Sequence, residues 1–135
     1  MFYYLSLYAV GFVSFLVIDF IWLGFVAKNY YFSQLGDLLR TPFNLPAAFV
    51  FYALFVVGLL YFAVLPGLAS HSFLRTLFLG ALFGFFTYAT YDLTNLATLK
   101  NWPLALTFVD ILWGTVLSAS VSAVVYYVAT HFLPR

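Results

Sequence analysis

The sequence contains no cysteine and very few charged residues. The lack of cysteine excludes disulfide bonds, thiolate catalysis and cysteine-ligated metal sites. Charged residues make up 7% of the chain, whereas soluble domains carry roughly 25%. The formal net charge is +1 and no run of lysine and arginine occurs, so we expect no nucleic-acid partner. So few charges could not solvate the surface of a globular domain, which indicates an integral membrane protein.

Motifs that carry well-defined chemistry are also missing. The sequence contains no glycine-rich phosphate loop, no nucleophile elbow and no pair of histidines at zinc-binding spacing. His71 and His131 fall near predicted helix ends, where plain surface histidines are more common than metal ligands. We therefore predict no metal site. The sequence by itself points to neither a cofactor nor a catalytic residue.

Long hydrophobic stretches dominate what is present. Hydrophobic residues make up 66% of the chain, and its mean hydropathy is +1.07. About 20 such residues in helical form span a bilayer. The pattern predicts a single domain over residues 1–135, an all-α bundle of four transmembrane helices at about 2–26, 46–65, 73–98 and 103–133. Pro66 and Gly67 are expected to end the second helix. The first helix is too long for a signal peptide and lacks its basic start.

Three of the four acidic residues fall at one depth of the predicted bundle. We call side B the face at which the first helix ends; the second helix then starts there, the third ends there and the fourth starts there. Asp19, Asp92 and Asp110 lie roughly 9–11 Å inside this face, at about 1.5 Å of rise per residue. Asp37 falls in the side B loop. The matched depth predicts that the three carboxyl groups share one site.

Helical periodicity predicts that this site faces the bundle interior. Small or polar residues recur every three or four positions on the helices that carry the aspartates, and small residues let neighbouring helices approach closely. The stripes contain Gly80, Gly84, Tyr88, Asp92 and Asn95 on the third helix, and Asp110, Gly114, Ser118 and Ser122 on the fourth. The candidate pocket residues are Asp19, Trp22, Tyr88, Tyr91, Asp92, Asn95, Asp110 and Trp113, with Lys28 and Lys100 at the rim.

Burying acidic residues in a membrane is costly, about 2.5–3.5 kcal/mol for each aspartate near the middle of a helix. Three at one depth require hydrogen bonds, hydration or bound protons, and the tyrosine, threonine, asparagine and indole groups at this depth could supply the hydrogen bonds. Ionisable residues inside a membrane favour a functional interpretation by default. A structural alternative stays open, in which the aspartates only cap loops or bond the helices together.

Several stretches resemble one known family. They are DFIW at 19–22, FVAKNY at 25–30 and, above all, TYATYDLTNLATLKNWP at 87–103 with VDILWGT at 109–115. Over its full length the chain resembles the bacterial membrane family catalogued as domain of unknown function 2177. The resemblance implies a small four-helix, multi-pass protein of the bacterial inner membrane. It implies no catalytic residues.

Three classes of function stay open. We favour a pocket protein that binds or modifies a lipid or hydrophobic small molecule, with aspartate and tyrosine donating and accepting protons near the headgroups. The second class is a proton-coupled small transporter. The third is a non-catalytic scaffold, in which the polar cluster merely holds four helices together. Membrane lipid is the expected partner throughout, and association into a homo-oligomer is left open.

A few residues indicate how the chain is oriented in the membrane and where the membrane interfaces lie. Side B carries Lys28, Arg40 and Lys100, and side A carries Arg75 and Arg135. Positive charge favours the cytoplasmic side, so we predict that side B faces the cytoplasm. Trp102 and the tyrosine pairs at 3–4, 30–31 and 126–127 are typical of the aromatic belts at membrane interfaces.

Overall fold

A computed structural model describes residues 1–40 and 42–134 of the protein. Within these residues all regular structure is helical, which confirms the predicted all-α class. The spans long and apolar enough to cross a membrane are Phe2–Val26, Leu45–Ala69, Phe73–Thr98 and Leu104–Phe132. Arg135, one of the two charges assigned to side A, lies outside the described residues.

The first span is one helix with a wider final turn. It comprises α1, Phe2–Ile21, followed by a turn of π-helix, Trp22–Val26. A π-helical turn contains an extra residue, so it changes the face on which the following side chains lie. The chain then forms α2, Lys28–Leu35, and a 3₁₀ turn, Gly36–Leu38, in a stretch where the sequence indicated only a loop.

The second span also contains a π-helical turn, and it passes Pro66. Asn44 caps the start of α3, Leu45–Leu59, by accepting a hydrogen bond from a backbone amide at 3.2 Å. After the π-helical turn Leu60–Val64, the chain continues as α4, Leu65–Ala69, with Pro66 in its first turn. Proline cannot donate a backbone hydrogen bond, and the preceding π-helical turn changes the bonding pattern where that donor would be needed. The sequence predicts that this helix ends at Pro66, but it continues to Ala69.

The third and fourth spans, α5 (Phe73–Thr98) and α6 (Leu104–Phe132), form the most extensive helix–helix contact. They touch along the predicted stripes of small residues. A Cβ atom added at Gly84 would lie far inside van der Waals contact with the carbonyl oxygen of Gly114. Only glycine at this position allows the two backbones to approach so closely.

The α3 and α5 helices separate at one end of the bundle. The α6 helix lies between α1 and α5, and the second span packs on α1 along α3. The same span packs on α5 along Leu60–Val64 and α4, whereas α3 itself lies further from α5. The Phe55 and Phe83 rings, with centroids 5.1 Å apart, bridge α3 and α5. Beyond them, toward side B, the two helices separate.

Apolar side chains both fill the centre of the bundle and cover its outside. Phe15, Val56, Leu117 and Val121 are fully buried among α1, α3 and α6. Large apolar side chains are also exposed along all four spans, including Val13, Leu54, Phe78 and Phe108. Such a surface suits the hydrocarbon of a bilayer.

Candidate functional site

Asp19 is buried and fully hydrogen-bonded. It continues a row of inward-facing residues on α1, one turn after Phe15. The indole N–H of Trp113 donates to Oδ1 at 3.0 Å, and the Tyr52 hydroxyl donates to Oδ2 at 3.2 Å. Because the donors belong to α6 and α3, this carboxyl group ties three helices together.

Asp110 accepts a hydrogen bond from Tyr31, a residue of the short helix α2. The Tyr31 hydroxyl lies 2.9 Å from Oδ1 of Asp110 and itself accepts from the indole N–H of Trp22 at 3.2 Å. Burial, and then the negative charge of Asp110, raise the pKa of Tyr31, so the hydroxyl keeps the proton that it donates. The Trp22 ring stacks on that of Trp113 with centroids 4.4 Å apart, which joins the two groups of hydrogen bonds.

Asp92 has the most unusual environment of the three. It is fully buried on α5, and its carboxyl group lies within hydrogen-bonding range of that of Asp110. Two ionised carboxylates can only accept hydrogen bonds, and no described residue donates to either oxygen of Asp92. Buried polar atoms normally have partners. The pair therefore lacks a donor, which a bound proton, a cation or water would supply.

A cavity of about 360 Å³ opens beside Asp110, where α3 and α5 separate. Its lining is mostly aromatic and consists of Phe51, Phe55, Thr87, Tyr88, Tyr91 and Asp110. The volume lies within the roughly 300–1,000 Å³ of typical small-molecule sites. Phe51 and Tyr91 are 45% and 56% exposed, so the mouth of the cavity is on the apolar outer surface.

The remaining predicted residues lie at the edge of this arrangement. Asn95 is half-buried, and its side chain lies near the hydroxyl of Tyr91. The Lys28 ammonium lies 5.9 Å from the centre of the Phe32 ring, on the outside of α2. Lys100 is exposed just beyond the end of α5. The structure thus brings the three aspartates, Trp22, Tyr88, Tyr91 and Trp113 together, and leaves both lysines at the periphery.

A comparison with protein families fits this architecture. A family model described as "Predicted membrane protein (DUF2177)" matches residues 4–127. The chain belongs to this family. The match confirms the resemblance seen in the sequence, and it includes every candidate site residue. No curated protein and no solved structure matches the chain.

Two donors in this DUF2177 protein were missed by sequence analysis. The sequence predicts an interfacial position for Tyr31, but its ring is buried, because α2 folds back onto Leu106 of α6. Tyr52 was overlooked, although it lies about seven residues after the start of α3 and so at the depth of the aspartates. The matched-depth criterion would have found Tyr52. The position of Tyr31 depends on the course of the chain after the first π-helical turn.

The chemistry open to this DUF2177 site is that of hydrogen bonding and proton exchange. Within residues 1–40 and 42–134, no group of three or more histidine or acidic side chains is placed to hold a metal ion. Asp19 is fully satisfied and suits a structural role. The Asp92–Asp110 pair has unused acceptor capacity beside a cavity, and it is the part of the network that can change partners.

Proposed function

We propose that this membrane protein binds a lipid or a hydrophobic small molecule in the cavity between α3 and α5. The observation that carries the proposal is the cavity itself, an aromatic pocket of about 360 Å³ with Asp110 in its wall. Apolar pockets with a few convergent polar groups are the usual form of small-molecule sites. The aromatic rings would hold the apolar part of the ligand, and the carboxyl groups would bind its polar end.

Entry from the side suits the position of the cavity. Its mouth lies between two spans whose outer surfaces carry exposed phenylalanine and leucine, including Leu54 on α3 and Phe86 on α5. A membrane-dissolved ligand could slide between the helices without leaving the hydrocarbon. The Asp110 carboxyl group lies toward side B, so the polar end of the ligand would point to that interface.

We propose in addition that the protein is a multi-pass protein of the bacterial inner membrane. Four apolar spans and a family described as a predicted membrane protein support a bilayer location. The bacterial inner membrane is what the resemblance of the sequence implies. Lipid is then both the solvent of the outer surface and a candidate ligand. We assign no catalytic step to the site.

Proton-coupled transport is a second candidate, favoured by Asp92. A buried carboxyl group with no donor, paired with Asp110 at the cavity wall, is a place where a proton and a substrate could compete. Transport would additionally require flux of the ligand across the membrane, which reconstituted liposomes can measure.

The binding proposal can be tested with a variant that fills the cavity. Thr87 lines the cavity, and its hydroxyl bonds only to carbonyl oxygens of its own helix, so Thr87→Phe adds a ring without removing a contact between helices. Native mass spectrometry of the purified protein should show one tightly held lipid per wild-type chain. The variant should lose this lipid.

Thr98→Phe is the matched control. Thr98 lies on the same helix, bonds in the same way to the Thr94 carbonyl oxygen and is exposed away from the cavity. This control should keep the lipid of the wild type. Equal lipid content in the wild type and Thr87→Phe, with both folded by circular dichroism, would contradict the proposal.

A further inference from the structure

Hydrogen-bond donors are unevenly distributed among the three carboxyl groups. Asp19 accepts from two side chains and Asp110 from one. Asp92 accepts from none of the described residues, although it is fully buried. The missing donors therefore coincide with the pair of carboxyl groups that adjoins the cavity. A bound proton, water or a cation could complete this pair, and of these the proton and the cation also balance the negative charge of two ionised carboxyl groups.

The cavity wall offers a second feature that suits positive charge. Phe51, Phe55, Tyr88 and Tyr91 contribute aromatic rings to it, and Phe55 and Tyr88 meet edge to face with centroids 6.1 Å apart. The faces of such rings attract cations, most strongly when water is excluded. A carboxylate surrounded by aromatic rings is the combination that recognises ammonium groups in proteins. The wall and the incomplete pair are independent observations, and both suit a cation with an apolar chain.

We propose that the ligand of this cavity is a cationic amphiphile, whose ammonium or quaternary ammonium head replaces a proton held between Asp92 and Asp110. This inference rests on the proposed binding function and specifies the chemical class of its ligand. An uncharged head that lacks an O–H or N–H donor would leave the oxygens of Asp92 without a partner. An anionic head would meet the charges of Asp19 and Asp110 at close range.

The exchange conserves the charge of the site. With the cavity empty, one proton bridges the two carboxyl groups and supplies the missing hydrogen bond. When the cationic head arrives beside Asp110, the proton leaves to water and both groups are ionised around the new charge. No bond other than that to the proton is made or broken. The titratable groups close to the pair are Asp19 of α1, Tyr31 of α2, and Tyr88 and Tyr91 of α5.

Binding of the cation should therefore strengthen as the pH rises. Low pH keeps the proton on the pair and weakens cation binding, and rising pH strengthens it. If one proton leaves for each cation bound, affinity should rise about tenfold per pH unit over the range in which the pair holds its proton. Tyr31 lies outside the spans, and burial raises the pKa of its hydroxyl, so it donates its hydrogen bond to Asp110 without changing charge.

Two amphiphiles of equal chain length test the inference. Decyltrimethylammonium is the cationic probe, and decyldimethylphosphine oxide is an uncharged probe with a head of similar size. Both are titrated by calorimetry into the whole protein in nanodiscs of zwitterionic lipid, with empty nanodiscs as the blank. We expect the cation to bind once per chain and about tenfold or more tightly than the uncharged probe. Repeating the titration in buffers of different ionisation enthalpy should show close to one proton released per cation.

The outcomes separate this inference from the proposed function. If both probes bind saturably, with equal affinity and no proton release, the cavity binds amphiphiles but the cationic class is wrong. If neither binds saturably, the binding function and this inference both fail. Asp92→Asn should abolish proton release and the preference for the cation, whereas Asp37→Asn, in the side B turn, should change neither. Proton release by the wild type decides the matter even if Asp92→Asn does not fold.

Discussion

At the scale of single residues, two buried aspartates differ in the hydrogen bonds that they accept. Asp19 accepts hydrogen bonds from Trp113 and Tyr52, so its loss would leave two part-buried donors without acceptors. Asp92 receives no hydrogen bond from the described residues. The first carboxyl group stabilises the fold, and the second is a cost that the fold tolerates. Residues that cost stability without repaying it locally are commonly those that function requires.

This difference predicts opposite effects of the same substitution. Asp19→Leu should lower the free energy of unfolding by about 1–3 kcal/mol, because two interhelical hydrogen bonds are lost and their donors stay buried. Asp92→Leu should change it by less than about 1 kcal/mol or raise it, because a buried carboxyl group that shares only a proton with Asp110 is replaced by an apolar side chain. Unfolding of the detergent-solubilised protein by sodium dodecyl sulfate, followed by circular dichroism, measures both.

Asp37→Leu serves as the reference for these two variants, since Asp37 is exposed in the side B turn. It should stay within about 0.5 kcal/mol of the wild type. Similar losses for Asp19→Leu and Asp92→Leu would mean that both carboxyl groups act as structural ties, which is the scaffold interpretation.

At the scale of helices, the contact between α5 and α6 depends on the absence of side chains. Gly84→Ala would place a methyl group in steric clash with the Gly114 carbonyl oxygen, a backbone atom that cannot rotate away. We expect a loss of stability of about 1–3 kcal/mol from this overpacking. Gly24→Ala is the control, because nothing lies within 4 Å of a Cβ atom there. The control should be neutral or slightly stabilising, since alanine favours helix over glycine.

The same dodecyl sulfate titration distinguishes the two glycine variants. A Gly84→Ala protein as stable as Gly24→Ala would show that the two helices can move apart at little cost. Movement of the two helices would also displace Tyr88 in the cavity wall, because its ring packs against Gly114.

Helices differ in how far the sequence could predict them. The four spans follow from length and hydropathy alone, and the depth of the aspartates follows from counting residues along them. The π-helical turns at Trp22–Val26 and Leu60–Val64 have no comparable signature, because five apolar residues fit a π-helical or an α-helical turn equally well. Without these turns, the sequence predicts a helix end at Pro66 and a loop where α2 lies.

The candidate site could be predicted in part, for a related reason. Asp19, Asp92 and Asp110 carry a strong signal, since charge is rare in the chain and costly in a membrane. Tyr31 carries none, because a tyrosine near a helix end fits an aromatic belt as well as a buried donor. The cavity could not be predicted either. It arises from the separation of α3 and α5, and helix tilt is determined by packing and not by local sequence.

At the scale of the whole molecule, the distribution of basic residues predicts the orientation. Lys28, Arg40 and Lys100 at side B favour a cytoplasmic location for that side, with both chain ends outside. The chain has no cysteine, so single introduced thiols give an unambiguous signal. Leu38→Cys at side B should react with a membrane-impermeant maleimide only after the cells are permeabilised. Ser70→Cys at side A should react in intact cells.

Both labelling positions are exposed, and both lie outside the network and the cavity. Labelling of Leu38→Cys but not of Ser70→Cys in intact cells would show that the orientation is opposite to the predicted one. The carboxyl pair would then open toward the outside, and a cationic ligand would be drawn from the opposite face of the membrane.

The stacked indoles of Trp22 and Trp113 give the protein an optical reporter of its own. They are two of three tryptophans, and the third, Trp102, is bonded to Thr107 near the start of α6. Indoles 4.4 Å apart and nearly parallel couple their electronic transitions, which gives a paired signal in ultraviolet circular dichroism. One ring reaches Asp110 through Tyr31 and the other bonds to Asp19. Rearrangement of the carboxyl groups should therefore alter the spectrum without any added dye.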